Sequence, residues 1–526
     1  MTRHLKDLRE FISALEEIRE VQVIDAEVDW NLEIGAAIRH SYDLRAPAPL
    51  FTNVTGYQGS GFKVLGAPCG LSSPIHPLAR IALSLGLPST ATGREIVETV
   101  VTARDRPGIS PRTVPAEEAP CKQNILRGHE VDLTRFPTPR IHGNDGGRYI
   151  QTYGMNIVRT PDGSWTNWSI NRMMIAGKDR LACLIPPPQH MGIIRAKWAE
   201  LGQPMPIVTA LGVEPGLPMV GGMPLPEGAD ESHFLGALFG EPVEVTTAET
   251  VDLPVPATAE IVIEGHILDD ETAMEGPMNE YPGYNATEQS PKPVFLVSAI
   301  TYRDGAILPV VAAGPPVEED HTVTGTMHAA ELLHQLRRAS LPITSTWVIP
   351  DSAFHWLVVS VRQDWPEGYG GHSGDLAGRI GEVTFAGKAG FGVPKVLVVE
   401  DDIDITDLGE VVWAFATRAH PEHGEIRFPM ETTQTAGEVY LDEAEAHSYK
   451  AGKVVYNCLL ADRFPVGERP EKGSFENAWP ADIQRRVLAR WSAYGYAAMP
   501  AITGIQAASD ASDSEALAAE IESPVV

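Results

Sequence analysis

The segment Glu275-Gly-Pro-Met-Asn-Glu280-Tyr-Pro-Gly-Tyr284 places two carboxylates on a stretch that cannot form a regular helix. Its two glycines and two prolines interrupt helical hydrogen bonding and restrict the backbone. Acidic side chains held on a rigid, irregular loop suit proton transfer. Two solvated acids in an acidic protein would look the same, so the interpretation depends on which other segments could converge on this loop.

Asn167, His190 and Glu231 offer an amide oxygen, an imidazole nitrogen and a carboxylate. This hard, oxygen-rich set suits Mn²⁺ or Mg²⁺ better than Zn²⁺ or copper. Each residue alone also has an ordinary structural reading, as part of a solvated edge strand, a buried histidine or a surface loop. Arg172 follows Asn167 by five positions, so a regular strand would point their side chains to opposite faces. Both can reach one site only if the strand bulges or ends between them.

The elements that must position these residues fall into four predicted segments. An N-terminal α/β domain covers residues 1–125, with an amphipathic helix over 5–19 and a capping box at the start of another near Thr92. Residues 126–318 are rich in strands and Pro/Gly turns, which favours an antiparallel barrel or sandwich.

The strand-rich middle contains two predicted hairpins and one helix. We expect one hairpin over 155–170, a second between strands 294–302 and 306–311, and a helix near 192–201. Helices and strands then alternate over 319–470, which predicts a mainly parallel sheet. Residues 471–526 should hold a last helix, 480–495, and a disordered acidic tail.

Composition excludes several classes of protein. The chain has 526 residues and a formal net charge of −29, a surface that repels nucleic acid and anionic membranes. Four scattered cysteines form no zinc or disulfide pattern, and no apolar run approaches the ~20 residues that span a bilayer. The N-terminus lacks the apolar core of a signal peptide, so we expect a cytoplasmic protein. P-loop, Rossmann, HExxH and GxSxG motifs are absent from the sequence.

Four motifs, in their order and separation, resemble the UbiD family of (de)carboxylases. They are TNWSINRMM at 166–174, PPPQHMG at 186–192, GGMPLPEG at 221–228 followed by Glu231, and EGPMNEYPGY at 275–284. The resemblance implies an N-terminal α/β unit, a central split β-barrel like that of flavin reductases, and a C-terminal α/β domain that dimerises, with a terminal helix. It also implies prenylated flavin mononucleotide as cofactor, bound through Mn²⁺ or Mg²⁺ and K⁺, and made by a separate flavin prenyltransferase.

The resemblance assigns roles to individual residues. The metal ligands would be Asn167, His190 and Glu231. The flavin contacts would come from Asn167, Trp168, Ser169, Ile170, Asn171, Arg172, Gln189, His190, Met223, Glu231 and Lys388. The potassium site would be formed by Trp168, Gly221, Met223, Glu231 and Arg418. Arg172, Glu275 and Glu280 would form the catalytic network, with Glu280 donating the proton that replaces CO₂.

The substrate is expected from two pocket residues, Tyr281 and Thr324, which stand where cinnamate-type members carry apolar side chains. The resemblance also brings the loop 320–325, on which Thr324 lies, to the pocket. Their hydroxyls favour a ring with an N–H or another polar edge, such as an indole-, pyrrole- or phenazine-carboxylate. An aryl-acrylic acid is the alternative. A flavin oxidoreductase on a similar barrel and a non-catalytic flavin-binding protein are further hypotheses, although neither requires the paired acids and arginine.

Overall fold

The structure, a computed structural model, describes residues 3–284, 288–433, 439–460, 462–464 and 468–496. The chain divides into two units, Met1–Val466 and Gly467–Val526. None of the helices within the described ranges is long and apolar enough to cross a bilayer.

The N-terminal part is an α/β unit, as the sequence predicts. Asp7 caps its first helix, and Thr92 and Glu95 form the capping box of its fourth. Its elements are helices α1 (Leu8–Glu17), α2 (Glu33–Asp43), α3 (Ala79–Ser84) and α4 (Gly93–Arg104), and strands β1 (Val21–Ile24), β2 (Ala48–Phe51), β3 (Lys63–Gly66) and β4 (Arg112–Thr113).

The middle part is built on a curled nine-stranded sheet. Its strands are β5 (Asn124–Arg127), β6 (Tyr149–Gln151), β7 (Gly154–Arg159), β8 (Thr166–Ser169), β9 (Met173–Ile175), β10 (Arg180–Cys183), β11 (Met205–Leu211), β14 (Ile261–Glu275) and β15 (Ser290–Tyr302). The sheet order is β6-β9-β10-β15-β14-β11-β7-β8, and β5 pairs with β15. All of its pairings are antiparallel, and β7 and β8 form the predicted hairpin.

Smaller elements complete this part. Strands β12 (Glu244–Thr247) and β13 (Pro254–Pro256) form a three-stranded sheet with β4. The helices are α5 (His190–Glu200), α6 (Gly216–Gly221) and α7 (Glu231–Phe239). Helix α5 starts two residues earlier than predicted, directly after the triple proline, which places His190 in its first turn.

The predicted second hairpin is wrong. Strand β15 is followed by β16 (Ile307–Val310), but β16 does not pair with it. Instead, β16 runs parallel to β3 and becomes the edge of the sheet β1-β2-β3-β16. The short turn and the two apolar runs match the hairpin pattern, but all four residues of β16 are buried and its backbone pairs with β3.

The C-terminal part begins with a π-helical turn, Asp320–Thr324, that continues into helix α8 (Gly325–Arg338). The rest comprises β17 (Ile343–Val348), β18 (Trp356–Val361), α9 (Trp365–Tyr369), α10 (Ser373–Ala386), the 3₁₀ turn Lys388–Gly390, β19 (Lys395–Glu400), α11 (Leu408–Arg418), β20 (Glu425–Thr432), α12 (Glu443–Ser448) and β21 (Lys450–Asn457). The sheet order is β17-β18-β19-β21-β20. Its central pairs are parallel and its two outer pairs antiparallel, so the expected mainly parallel sheet is in fact mixed.

Two hydrophobic cores hold the larger unit together. One runs from α1 and α4 through α8 to the C-terminal sheet, with Leu8, Val97, Leu332 and Val358 fully or almost fully buried. The other fills the curled sheet. Helix α8 belongs to the first core, so the π turn before it continues directly into a buried helix.

The second unit holds α13 (Phe475–Ala478) and α14 (Ala481–Ala489), followed by a 3₁₀ turn, Ser492–Tyr494. Pro480 precedes α14, as predicted, but the α-helix ends before the predicted limit at residue 495. The predicted disordered tail lies outside the described residues.

Candidate active site

The strand that carries Asn167 ends at Ser169. This strand end explains how the side chains of Asn167 and Arg172, five positions apart, can face the same site. Residues 170–172 join β8 to β9 without belonging to either strand, so alternation of side chains stops there. Asn167 and Arg172 therefore line the same cavity. Side-chain alternation along a continuous strand would have kept them apart.

This cavity has a volume of about 770 Å³, within the usual range of ligand sites. Its walls come from β8, the start of α5, the end of α6, the start of α7, the end of β14, the π turn and the turn before β19. Among the residues singled out in the sequence, those that line it are Asn167, Trp168, Ser169, Ile170, Asn171, Arg172, Gln189, His190, Gly221, Met223, Glu231, Glu275, Glu280, Tyr281, Thr324 and Lys388.

Three buried side chains meet at one end of the cavity. The Asn167 Nδ2 donates to Glu231 Oε1 at 2.9 Å, and the His190 Nδ1 lies 3.5 Å from Asn167 Nδ2 and 3.9 Å from Glu231 Oε1. The backbone N–H of Trp168 donates to the second oxygen of Glu231 at 2.8 Å. Asn167 Oδ1 is buried and, within the described part of the chain, accepts no hydrogen bond. A buried acceptor left in this way is costly unless a ligand satisfies it.

The electrostatics of this cluster favour a bound cation. Burial, and then the charge of Lys388, lowers the pKa of His190 to about 3, so its imidazole is neutral. Burial raises the pKa of Glu231 and lowers that of Lys388. A cation would offset the cost of an ionised Glu231 at this depth, and amide oxygen, neutral imidazole and carboxylate are ligands that Mn²⁺ and Mg²⁺ accept. The residues present therefore fit a divalent metal.

At another part of the cavity, Arg172 bridges the two acids of the loop. Its Nε donates to Glu275 Oε1 at 2.9 Å, its Nη2 donates to Glu275 Oε2 at 3.3 Å, and its Nη1 donates to Glu280 Oε1. The hydroxyl of Tyr149 also donates to Glu275 at 2.8 Å. Burial lowers the pKa of Arg172, but the charges of Glu280 and Glu275 outweigh burial and raise it above its ordinary value.

The acidic loop is fastened to the π turn by His321. Its Nε2–H donates to the carbonyl of Tyr281 at 2.7 Å, while its Nδ1 accepts the backbone N–H of Glu318 at 3.0 Å. Burial lowers the pKa of His321 to about 4, so the ring is neutral in this tautomer. The ring of Tyr281 packs between His355 and Phe354, with centroid separations of 6.2 and 6.4 Å. Glu280, the candidate proton donor, therefore directly precedes Tyr281, a residue whose carbonyl and ring both make contacts.

Profiles of three domains described as 3-octaprenyl-4-hydroxybenzoate carboxy-lyase match the chain. The N-terminal domain matches residues 12–100, the Rift-related domain matches 112–316, and the C-terminal domain matches 321–458. Pyrrole-2-carboxylic acid decarboxylase from Pseudomonas aeruginosa is 44% identical over 94% of this chain and 99% of its own length. The chain belongs to the UbiD family.

Other UbiD relatives agree in sequence and in fold. Ferulic acid decarboxylase 1 from Saccharomyces cerevisiae is 36% identical over 93% of this chain and 98% of its own. The UbiD-class enzyme HmfF from Pelotomaculum thermopropionicum, solved in an evolved dimeric form in complex with prFMN, superposes with a TM-score of 0.74 at 28% identity, covering 91% of this chain and 100% of that one. The chain is therefore a carboxy-lyase with the multidomain UbiD-class fold.

One residue that the UbiD resemblance assigns is not brought to the cavity. Arg418, at the end of α11, donates to Asp402 Oδ1 at 2.9 Å and lies 3.8 Å from Glu400, and it does not line the cavity. The other four members of the expected potassium site do line it.

Three residues of the site received no role in the sequence reasoning, although one of them, Asp320, lies on the loop 320–325 that the UbiD resemblance brings to the pocket. Tyr149 supports Glu275, Asp320 opens the π turn, and His328 lines the cavity with its Nδ1–H donated to the Thr324 carbonyl at 2.9 Å. Tyr149 and His328 lie in apolar stretches that read as core. The unusual run of four charged or titratable residues from Glu318 to His321, placed before a buried helix, was the signal available for Asp320.

Proposed function

We propose that this protein catalyses the reversible, non-oxidative decarboxylation of an aromatic or heteroaromatic carboxylic acid with prenylated FMN. The observation that carries the proposal is the pairing of two groups in one cavity. One is the Glu275–Arg172–Glu280 network, and the other is the Asn167–His190–Glu231 cluster. A cluster built for a metal and phosphate, facing an acid–arginine network, provides both a cofactor anchor and a source of protons.

Asn167, His190 and Glu231 would hold Mn²⁺ or Mg²⁺, which in turn binds the flavin phosphate, and Lys388 lies close enough to share that charge. Residues 168–172, Gln189 and Met223 would contact the flavin. Trp168, Gly221, Met223 and Glu231 would provide a K⁺ site, with Arg418 requiring a rearrangement to join them. Support comes from the orphaned Oδ1 of Asn167, from the buried charges, and from the prFMN bound to HmfF.

Prenylated FMN, when bound, supplies the electron sink that accepts the electron pair of the broken carbon–carbon bond. Arg172 binds the substrate carboxylate, since a guanidinium pairs well with carboxylates. Glu275 keeps two partners, Arg172 and Tyr149, whereas Glu280 has only Arg172 among the described residues. A carboxylate that binds Arg172 therefore releases Glu280. Protonated from solvent, Glu280 then gives its proton to the carbon that CO₂ has left.

The substrate is most consistent with a ring that carries a polar edge. Tyr281 and Thr324 both line the cavity, and the relative at 44% identity acts on pyrrole-2-carboxylic acid by its name. The alternative is an aryl-acrylic acid, which the ferulic acid decarboxylase at 36% identity favours. The other hypothesis, an NAD(P)H-dependent flavin oxidoreductase, gives no role to two acids that share one arginine.

The proposal also covers the domain organisation, the dimer and the supply of the cofactor. We divide the chain into a domain over 1–125, a prenyl-FMN-binding split β-barrel over 126–318, a dimerising α/β domain over 319–470, and a terminal helix and tail over 471–526. The three matched domain profiles and the dimeric form of HmfF support this division. The prenylated cofactor requires a flavin prenyltransferase as supplier, and four free, buried cysteines suit the reducing cytoplasm.

The test is co-expression with a flavin prenyltransferase, followed by a CO₂-release assay over heteroaromatic, benzoic and aryl-acrylic acids. The proposal expects CO₂ release from at least one aromatic class without NAD(P)H. NAD(P)H consumption without CO₂, or no turnover of any class by protein that carries prenylated FMN, would contradict it.

A further inference from the structure

Lys292 is a cation in the catalytic cavity that the mechanism above does not use. Of the described residues that line the cavity, three carry a lysine or arginine side chain: Arg172, Lys388 and Lys292. Arg172 is paired with the two acids of the loop, and the charge of Lys388 acts on His190 at the metal end. Within the described part of the chain, the Lys292 ammonium has no hydrogen-bond or ion-pair partner. It can therefore bind a ligand without first breaking an ion pair.

The pairing of β14 with β15 fixes where Lys292 lies relative to the reacting groups. Glu275 pairs with Ser290, and Ala273 pairs with Lys292. Paired residues, and residues two apart on one strand, project to the same face of a sheet, so these four share a face. Glu275, Ser290 and Lys292 all line the cavity. Lys292 therefore lies about 7 Å along the strand from the residue that pairs with Glu275.

This part of the two strands faces solvent. Residues 268–274 of β14 and 290–293 of β15 are exposed or partly exposed, and we call these two stretches the outer arm. Glu288, shortly before β15, also lines the cavity and is exposed, but it makes no ion pair with Lys292. Lys292 is partly exposed and lines the cavity, so it lies at the mouth of the cavity.

The other cations that contact the outer arm are paired. The Arg180 Nε donates to Glu271 Oε1 at 2.8 Å, and the Arg195 Nη2 lies 3.3 Å from Asp269 Oδ1. The chain as a whole carries a formal net charge of −29, so its surface repels an anionic acid. Among the described residues of the outer arm and its ion pairs, Lys292 alone is an unpaired cation. A carboxylate that approaches the cavity is therefore attracted to Lys292 and repelled by most of the surface around it.

We propose that Lys292 is a capture site for the substrate, which binds the carboxylate of an incoming aromatic acid at the mouth of the cavity and transfers it to Arg172. This inference rests on the proposed decarboxylase function. Transfer inwards is favoured because a buried guanidinium can bind a carboxylate with two hydrogen bonds, whereas the partly exposed ammonium of Lys292 is a single, well-hydrated charge. Lys292 touches the acid before the chemical step, so it should control the rate of binding and its salt dependence.

The experiment measures association with protein that is loaded with unprenylated FMN, which needs no turnover. The probes are pyrrole-2-carboxylate and benzoate, together with their neutral carboxamides, and stopped-flow flavin fluorescence gives the rate constants. At low salt, Lys292→Gln should lower the association rate constants of the acids about two- to fivefold, the scale of an exposed ion pair, and Lys292→Glu should lower them further. The carboxamides should bind all variants at the wild-type rate, and Lys292→Arg should restore fast binding of the acids.

Salt and a matched variant separate capture from other effects. The difference between wild type and Lys292→Gln should disappear towards about 1 M salt, where the Debye length is about 3 Å. Lys178→Gln is the control, because Lys178 is exposed, does not line the cavity, and loses the same charge. It should bind the acids as wild type does. On the holoenzyme, Lys292→Gln should lower kcat/KM at low salt without lowering kcat, whereas a damaged fold would lower both.

Two results would overturn the role of Lys292. One is equal association of the acids with wild type and Lys292→Gln at low salt, and the other is an equal loss for acids and carboxamides. Either result would leave the decarboxylase intact if the loaded enzyme still releases CO₂. Absence of CO₂ from every acid would instead remove the proposed function.

Discussion

At the scale of single residues, the division of labour follows from what each side chain contacts. Arg172 is the shared partner of two acids, but the acids are not equivalent. Glu275 is almost fully buried and also receives the Tyr149 hydroxyl, while Glu280 stands on the loop with one described partner. A carboxyl with many partners is a fixed charge, and one with few partners can exchange its proton with solvent and substrate.

Replacement of Glu280 by Gln should therefore reduce decarboxylation about 10²- to 10⁴-fold, the usual contribution of a general acid. The amide keeps the shape and can still contact Arg172, so fold and flavin content should not change. Kinetics on the holoenzyme, with the flavin spectrum as a check of loading, measure this. A variant with normal turnover would remove Glu280 from its role as proton donor.

The metal cluster gives a second expectation at this scale. Glu231→Gln removes the negative charge beside Asn167 and His190, so the affinity for Mn²⁺ should fall by more than the about 10- to 100-fold that loss of an outer-shell partner costs. Titration of the cofactor-free protein with Mn²⁺ measures the change. Glu227→Gln, an exposed acid on the same loop that pairs with Lys197, is the control and should bind Mn²⁺ as wild type does. Equal affinities in the two variants would contradict the assignment.

At the scale of elements, the π turn and the acidic loop depend on each other. His321 joins them through the Tyr281 carbonyl, and Glu318 fixes the tautomer of His321 through its backbone N–H. The turn costs free energy of folding because the carboxyls of Glu318 and Glu319 are buried. Burial, and then the charges of Asp320 and Glu319, raises the pKa of Glu318 well above its ordinary value. The two buried carboxyls therefore lower the free energy of unfolding, and the turn that carries them lies at the site.

A carboxyl with a raised folded-state pKa stabilises the protein below its unfolded pKa of 4.5, and that stability is lost as pH rises through the folded-state value. Glu318→Gln does not titrate, so it should be more stable than wild type at pH 8, where ionisation of Glu318 favours the unfolded state. The difference should vanish towards pH 4.5. Urea unfolding at both pH values tests this, with exposed Glu367→Gln as a control that should show no pH-dependent difference. A less stable Glu318→Gln at pH 8 would contradict the account.

Much of this element level was predictable from sequence. The capping box at Thr92, the hairpin β7–β8 and the helix after the triple proline depend on residues that are close in the chain. The convergence of Asn167, His190, Glu231, Arg172 and the two loop acids was also predictable, because their motifs are specific to the UbiD family. The destination of β16 was not, because its pairing with β3 joins residues far apart in sequence.

The contacts of His321 and His328 were hidden for a related reason, and only the UbiD resemblance placed the loop 320–325 at the pocket. An acid or histidine beside an apolar helix has the same local pattern whether it faces a cavity or a core. Only packing of α8 against the rest of the larger unit decides which, and the π turn that turns Asp320 towards the cavity has no sequence signature of its own. For the same reason, the sequence showed that β8 must bulge or end between Asn167 and Arg172, but it did not show where; the structure ends the strand at Ser169.

At the scale of the whole molecule, α11 presents an apolar surface to solvent. Leu408, Val412 and Trp413 are 40%, 46% and 44% exposed. Leu408 and Val412 are four residues apart and so share a helix face. Contiguous exposed apolar side chains mark interaction sites, and the dimerisation proposed for this domain gives them a partner.

Val412→Glu should therefore shift the protein from dimer to monomer, because it buries a charge in that contact. Sedimentation velocity of the holoenzyme measures the change in mass. Val412→Ala shortens the same side chain without adding a charge and should remain dimeric. A dimer that Val412→Glu leaves unchanged would place the interface elsewhere.

The central claim is that a proton from Glu280 replaces CO₂ on a ring carbon without net oxidation. The most direct measurement is turnover of pyrrole-2-carboxylate by the holoenzyme in D₂O, with CO₂ and product quantified together by NMR. The account predicts one CO₂ per product, a single deuterium at the carbon that bore the carboxylate, no requirement for NAD(P)H, and near-complete loss of turnover in Glu280→Gln. An oxidised product, NAD(P)H consumption in place of CO₂ release, or wild-type turnover by Glu280→Gln would contradict it.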